Sequence, residues 1–146
     1  MSKATLVAAS LSFIAQSPAF ADVRFIDEPA IIKAINSPIL KQVQEEDSPG
    51  CTITRYTFGD KVFDMKIEFK CDRINVAWTG SKEEQNQSRS DRAKELAKRA
   101  VAVLTQGDGV EVERILAGES YRGRTYPNSI IVSGSCVLNS CLLTFK

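Results

Sequence analysis

The chain contains no histidine. That absence removes the Ser-His-Asp and Cys-His arrangements, the two-histidine zinc motif and imidazole acid-base work in one step. An excess of either charge is also missing, since 19 Lys and Arg stand against 18 Asp and Glu. Nucleic acids and anionic membranes are held chiefly by surplus Lys and Arg, so neither is expected as the main partner. Long apolar runs are scarce as well. The uncharged stretch from Ala4 to Ala15 falls short of the roughly 20 apolar residues that a membrane-crossing helix needs.

That stretch has another reading. Lys3 precedes it, Ser17-Pro18 follows it, and Ala19-Phe20-Ala21 places small residues where a signal peptidase requires them. Residues 1–21 are therefore expected to be a secretory signal peptide cut after Ala21. Asp22 rather than Cys follows, so no lipoprotein anchor is expected, and the mature chain should be soluble and periplasmic or secreted. Removing the leader leaves 146 − 21 = 125 residues, 22–146, which suits a single domain. Lys3 is the only charge lost, leaving 19 − 1 = 18 basic residues against 18 acidic ones.

What the chain does have is four cysteines, which behind a signal peptide read as two disulfides. Between Cys51 and Cys71, Phe63, Met65, Ile67 and Phe69 alternate with Asp64, Lys66, Glu68 and Lys70. This period of two puts one strand face in a core and the other in water. Thr52, Thr54, Tyr56 and Phe58 share a face of the preceding run, and Gly59-Asp60 supplies the turn of a β-hairpin. Folding there brings Cys51 opposite residues just short of Cys71. Cys136 and Cys141 flank Val137-Leu138-Asn139-Ser140, a connection that a disulfide can pinch. The expected pairs are Cys51 with Cys71 and Cys136 with Cys141. Neither pair has the spacing of a zinc knuckle, and no metal or cofactor is expected.

Elsewhere, Ile31, Ile32, Ile35, Ile39, Leu40 and Val43 recur at helical spacing, with Asp27 as cap, Pro29 near the first turn, and at Ser37-Pro38 either a kink or a break into two short helices. Ile74, Val76 and Trp78 alternate as a third strand. Ser81 and Glu84 match a capping box ahead of a second helix, whose stripe is Ala93, Leu96, Ala97, Ala100, Val101 and Leu104. Val110 to Leu116 reads as a strand, Gly118 to Asn128 as a loop, and Ser129–Ser135 with Leu142–Phe145 as a last hairpin. The expected fold is one α+β domain: an antiparallel sheet of about five to six strands, two helices packed on one face, and two disulfides.

No motif assigns a catalytic residue. Glu111 and Glu113, two apart on an expected strand, would share a face and could serve carboxylate chemistry. Gly118 to Thr125 is a near miss to a phosphate loop, but Tyr126-Pro127-Asn128 signals a turn where that loop requires a helix. The same segment carries Tyr121, Arg122, Arg124 and Tyr126, residue types enriched at protein interfaces, which makes them the candidate partner-binding set. The competing reading has these side chains packing over the core. The function expected is that of a small exported non-enzymatic binding protein, such as an inhibitor, immunity factor or accessory subunit of an envelope assembly. Its partner would be another protein in the envelope or outside the cell. The alternative is a small hydrolase of envelope glycans using carboxylates such as Glu111.

Overall fold

A computed structural model describes residues 26–146. The expected leader and its cleavage site lie outside the described residues. The order is α1 (Glu28–Ile35), β1 (Lys41–Ser48), β2 (Cys51–Gly59), β3 (Asp64–Phe69), β4 (Ile74–Thr79), α2 (Gln87–Thr105), α3 (Glu111–Leu116), β5 (Tyr121–Thr125), β6 (Ile131–Val137) and β7 (Ser140–Phe145). The strands form one antiparallel sheet in the order β1-β2-β3-β4-β7-β6-β5. After the β1–β4 meander the chain crosses by α2 and α3 to the far edge, then returns inward until β7 pairs with β4. The fold is α+β as expected, with seven strands among the described residues rather than five or six.

Period-two alternation decides which face is buried. Phe58, Met65, Ile67, Val76, Leu143 and Phe145 have no exposed surface and point to the side where α2 lies. From α2, Ala93, Leu96, Ala97, Ala100, Val101 and Leu104 meet them, all at most 2% exposed. The three alanines on that stripe let the helix backbone sit close to the sheet. Asp27 Oδ1 accepts from Ala30 N–H at 3.2 Å and Pro29 stands in the first turn of α1, so its start is as read.

Several local readings are corrected. The first helix does not run to Val43: it ends at Asn36 in the left-handed region, where Arg99 Nη1 donates to the Ile35 carbonyl at 3.1 Å. After Ser37-Pro38 the chain extends instead of resuming helix, and Ile39, Leu40 and Val43 pack on no helical stripe. The capping box does not form. Ser81 Oγ accepts from Glu83 N–H at 3.1 Å in a turn, and a 3-10 turn, Glu84–Asn86, leads into α2.

The β2–β3 turn is longer than Gly59-Asp60. Gly59 pairs with Asp64, so the loop is Asp60 to Phe63, and Asp60 Oδ1 accepts from the N–H groups of Val62 and Phe63, both at 2.8 Å. This register carries Cys51 one position past Cys71 rather than short of it. The two still bond, with Cα atoms 5.9 Å apart, and Cys136 bonds Cys141 directly across β6–β7 at 4.0 Å. Loop-closure entropy assigns the two bridges about 3 and about 2 kcal/mol.

Candidate interaction face

Among the described residues, the helices cover one face of the sheet and nothing covers the other. Cross-strand register aligns Arg55, Glu68, Asn75, Thr144 and Ser133 in one row over that open face. Arg55 Nε donates to Glu68 Oε2 at 2.7 Å and its Nη2 meets the same oxygen. Asn75 Nδ2 donates to Glu68 Oε1 at 3.2 Å, and Thr144 Oγ1 donates to Asn75 Oδ1 at 2.9 Å. Burial opposes charge on Glu68, but the hydrogen bonds from Arg55 and Asn75 outweigh it and hold the carboxyl below its ordinary range. The row is a pre-ordered polar stripe whose side chains already have partners.

Beside the stripe, at the β6–β7 end, the face turns apolar. Leu142 is 44% exposed and Val137 71%, and both point outward because Leu142 pairs with outward-facing Ala77 and Ser135. They sit on diagonal positions of adjacent strands, within reach of each other. Ala77, Ser135, Val137, Ser140 and Leu142 line a shallow depression there. Leu138, 94% exposed, stands at the hairpin tip with φ 55°. The tip is anchored by Gly80 N–H donating to the Asn139 carbonyl at 2.8 Å and by the Cys136–Cys141 bridge beneath it.

The Gly118–Asn128 segment is not a loop throughout but contains β5, which keeps Tyr121, Arg124 and Tyr126 together and parts Arg122 from them. A bulge between Arg122 and Arg124 inserts Gly123, at φ 74°, and resets the alternation. Tyr121 then faces the helices and is 4% exposed in the core, and Tyr126 packs partly buried against it. Arg124 lies over both rings, 5.4 Å and 5.9 Å from their centres. Arg122, opposite Ser133, belongs to the open face. Tyr121 is thus core, Tyr126 half-buried at the core's margin and Arg122 surface.

Val110 to Leu116 is not a strand. Residues 111–116 form α3, which pulls Glu111 and Glu113 apart. Glu111 is 5% exposed and its Oε1 accepts from Tyr126 O–H at 2.8 Å, while Glu113 is paired with Lys98 Nζ at 3.0 Å. Burial, then the bond to Glu111, pushes the Tyr126 phenol well above its ordinary range. Glu111 Oε2 and the Tyr121 hydroxyl are buried without a hydrogen-bond partner among the described residues.

Among the described residues no group of His, Cys, Asp and Glu is arranged to hold a metal ion, and no helix is long and apolar enough to cross a membrane. No family model, curated protein or solved structure matches the chain. The sequence reading missed the Leu142–Val137–Leu138 patch. Its signal was available: Leu142-Leu143 places two leucines side by side on a strand, so one of them must face out.

Proposed function

We propose that this is a small exported binding protein, without catalytic activity of its own, that receives a partner protein on the open face of its sheet. The observation that carries the reading is the concentration of outward aliphatic side chains, Val137, Leu138 and Leu142, on a hairpin held by a disulfide and by β4. Exposed aliphatic patches on a rigid frame, rimmed by polar groups, favour association with another protein surface. Here the rim is the Arg55–Glu68–Asn75–Thr144 stripe with Arg122 beyond it. The two disulfides suit an oxidising compartment, which together with the leader-like N-terminus supports a role in the envelope or outside the cell. Inhibitor, immunity factor and accessory subunit are the roles this surface fits. Affinity capture from an envelope extract tests the proposal. The protein should retain a stoichiometric partner that a Val137→Asp/Leu142→Asp variant of unchanged melting temperature does not retain, and capture of the same proteins by both would refute it.

A further inference from the structure

The two edges of the sheet are finished differently. At β5 the ladder is broken by the Gly123 bulge, and Gly123 N–H is taken by Ser133 Oγ at 2.9 Å. That edge is blunted in the usual way. At β1 the pairing with β2 runs unbroken from Lys41 to Glu46, and the strand is exposed apart from half-buried Val43. Asp60 N–H bonds the Phe63 carbonyl, which makes the even residues of β2 the ones bonded to β3 and the odd ones those bonded to β1. By the same alternation the N–H and C=O groups of Gln42 and Gln44 point away from β2, to an edge that no other strand pairs with among the described residues.

The side chains along β1 are sorted by charge. Lys41 stands at one end and Glu45, Glu46 and Asp47 at the other, with Gln42, Val43 and Gln44 between. A guard of one sign repels a second strand in every register, whereas this order is complementary to its own reverse. We infer that β1 pairs antiparallel with β1 of a second copy of this chain, about a two-fold axis at Val43. In that register Lys41 faces the partner's Glu45 twice, Val43 meets Val43, and Gln42 and Gln44 exchange their free backbone bonds. The pairing stays within residues 41–45, ahead of the irregularity between Glu46 and Ser48. Moving the axis to Glu45 sets two carboxylates against each other. Moving it to Gln44 sets apolar Val43 against charged Glu45 on both sides of the axis. The result is an isologous dimer with one continuous sheet. It leaves the Val137–Leu142 end free on each copy.

Sedimentation velocity of the oxidised protein from about 1 to 100 µM tests this. A monomer–dimer equilibrium is expected. Lys41→Glu should weaken it at least about tenfold, and adding Glu45→Lys should restore it to within about threefold. Gln44→Pro, which removes an N–H that β2 does not use, should abolish the dimer with the far-UV spectrum and melting temperature of the dissociated chain preserved. A wild-type protein that stays monomeric throughout would overturn the inference. So would a dimer that survives Gln44→Pro, or one that the double charge exchange leaves as weak as the single change.

Discussion

Arg89 closes on Asp60 with two parallel hydrogen bonds, Nε to Oδ2 at 2.7 Å and Nη2 to Oδ1 at 2.9 Å. The same guanidinium lies 5.0 Å from the centre of the Phe63 ring. One side chain from the start of α2 therefore ties down the whole β2–β3 loop. Arg89, then the N–H groups of Phe63 and Val62, hold the Asp60 carboxyl below its ordinary value of 3.8.

A group whose folded pKa is depressed contributes stability above its unfolded value and loses it as pH falls through the folded one. Asp60→Asn should therefore flatten the loss of melting temperature below pH 3.8 relative to wild type. At neutral pH, Asp60→Ala should cost more than Arg89→Ala because it also strands two turn N–H groups. The excess should be about 1 kcal/mol, or roughly 3 to 6 degrees. Equal melting losses in the two alanine variants would show that the turn bonds contribute nothing.

Tyr56 carries the alkaline counterpart. Burial, followed by its bond to Glu28 Oε1 at 2.7 Å, pushes its phenol up to about 12. Such a group stabilises fully below the ordinary value of 10.0, and the contribution disappears as pH rises toward 12. Denaturant melts of Tyr56→Phe should show less loss between those limits than wild type. A parallel pair of curves would remove Tyr56 from the alkaline transition.

Tyr121 and Tyr126 separate packing from contact. With Tyr121 in the core, Tyr121→Ala should cost about 3 to 5 kcal/mol. Tyr126→Phe leaves Glu111 buried without its donor and should cost about 1 to 3 kcal/mol, while Arg122→Ala should be nearly neutral. A Tyr121→Ala variant that melts with wild type would return that residue to the surface.

Among the glycines, Gly134 has the closest neighbour to where a Cβ would stand. Its φ is 157°, and a Cβ there would come within 2.1 Å of the Leu142 carbonyl oxygen, on the strand that carries the patch. Gly134→Ala should destabilise by about 3 kcal/mol or more in urea. Gly50→Ala meets nothing within 4 Å and strains only its φ of 77°, so its cost should be about 1 kcal/mol. The reverse order would mean that β6 and β7 are not packed in this register.

The parts of the fold legible in sequence are those with one dry face and one wet face. β2, β3, β4 and β7 alternate because they sit inside the sheet, and the cysteine pairs followed from hairpin geometry. β1 escaped because both its faces are wet: Lys-Gln-Val-Gln-Glu-Glu-Asp has no apolar face to read. The helical spacing through Ile39, Leu40 and Val43 was accidental, and those side chains never line up on one helix. Around α3, Val112 and Ile115 with Val110 just ahead of them fit a short helix as well as a strand, since six residues are too few for period to decide. β5 was hidden by the extra residue at Gly123, which also divided the candidate site: alternation without the bulge would have put Arg122 and Arg124 together. The open-face patch depends on which of two adjacent leucines faces out, and pairing with β4 settles that.

The Val137–Leu142 end of the open face is the proposed partner site. Its most direct measurement is a calorimetric titration of the captured partner into wild type, Leu142→Asp and Glu111→Gln, each checked for an unchanged fold. Leu142→Asp should raise the dissociation constant about thirtyfold, on the order of 2 kcal/mol, and Glu111→Gln should match wild type. Equal affinity of Leu142→Asp and wild type would contradict that assignment.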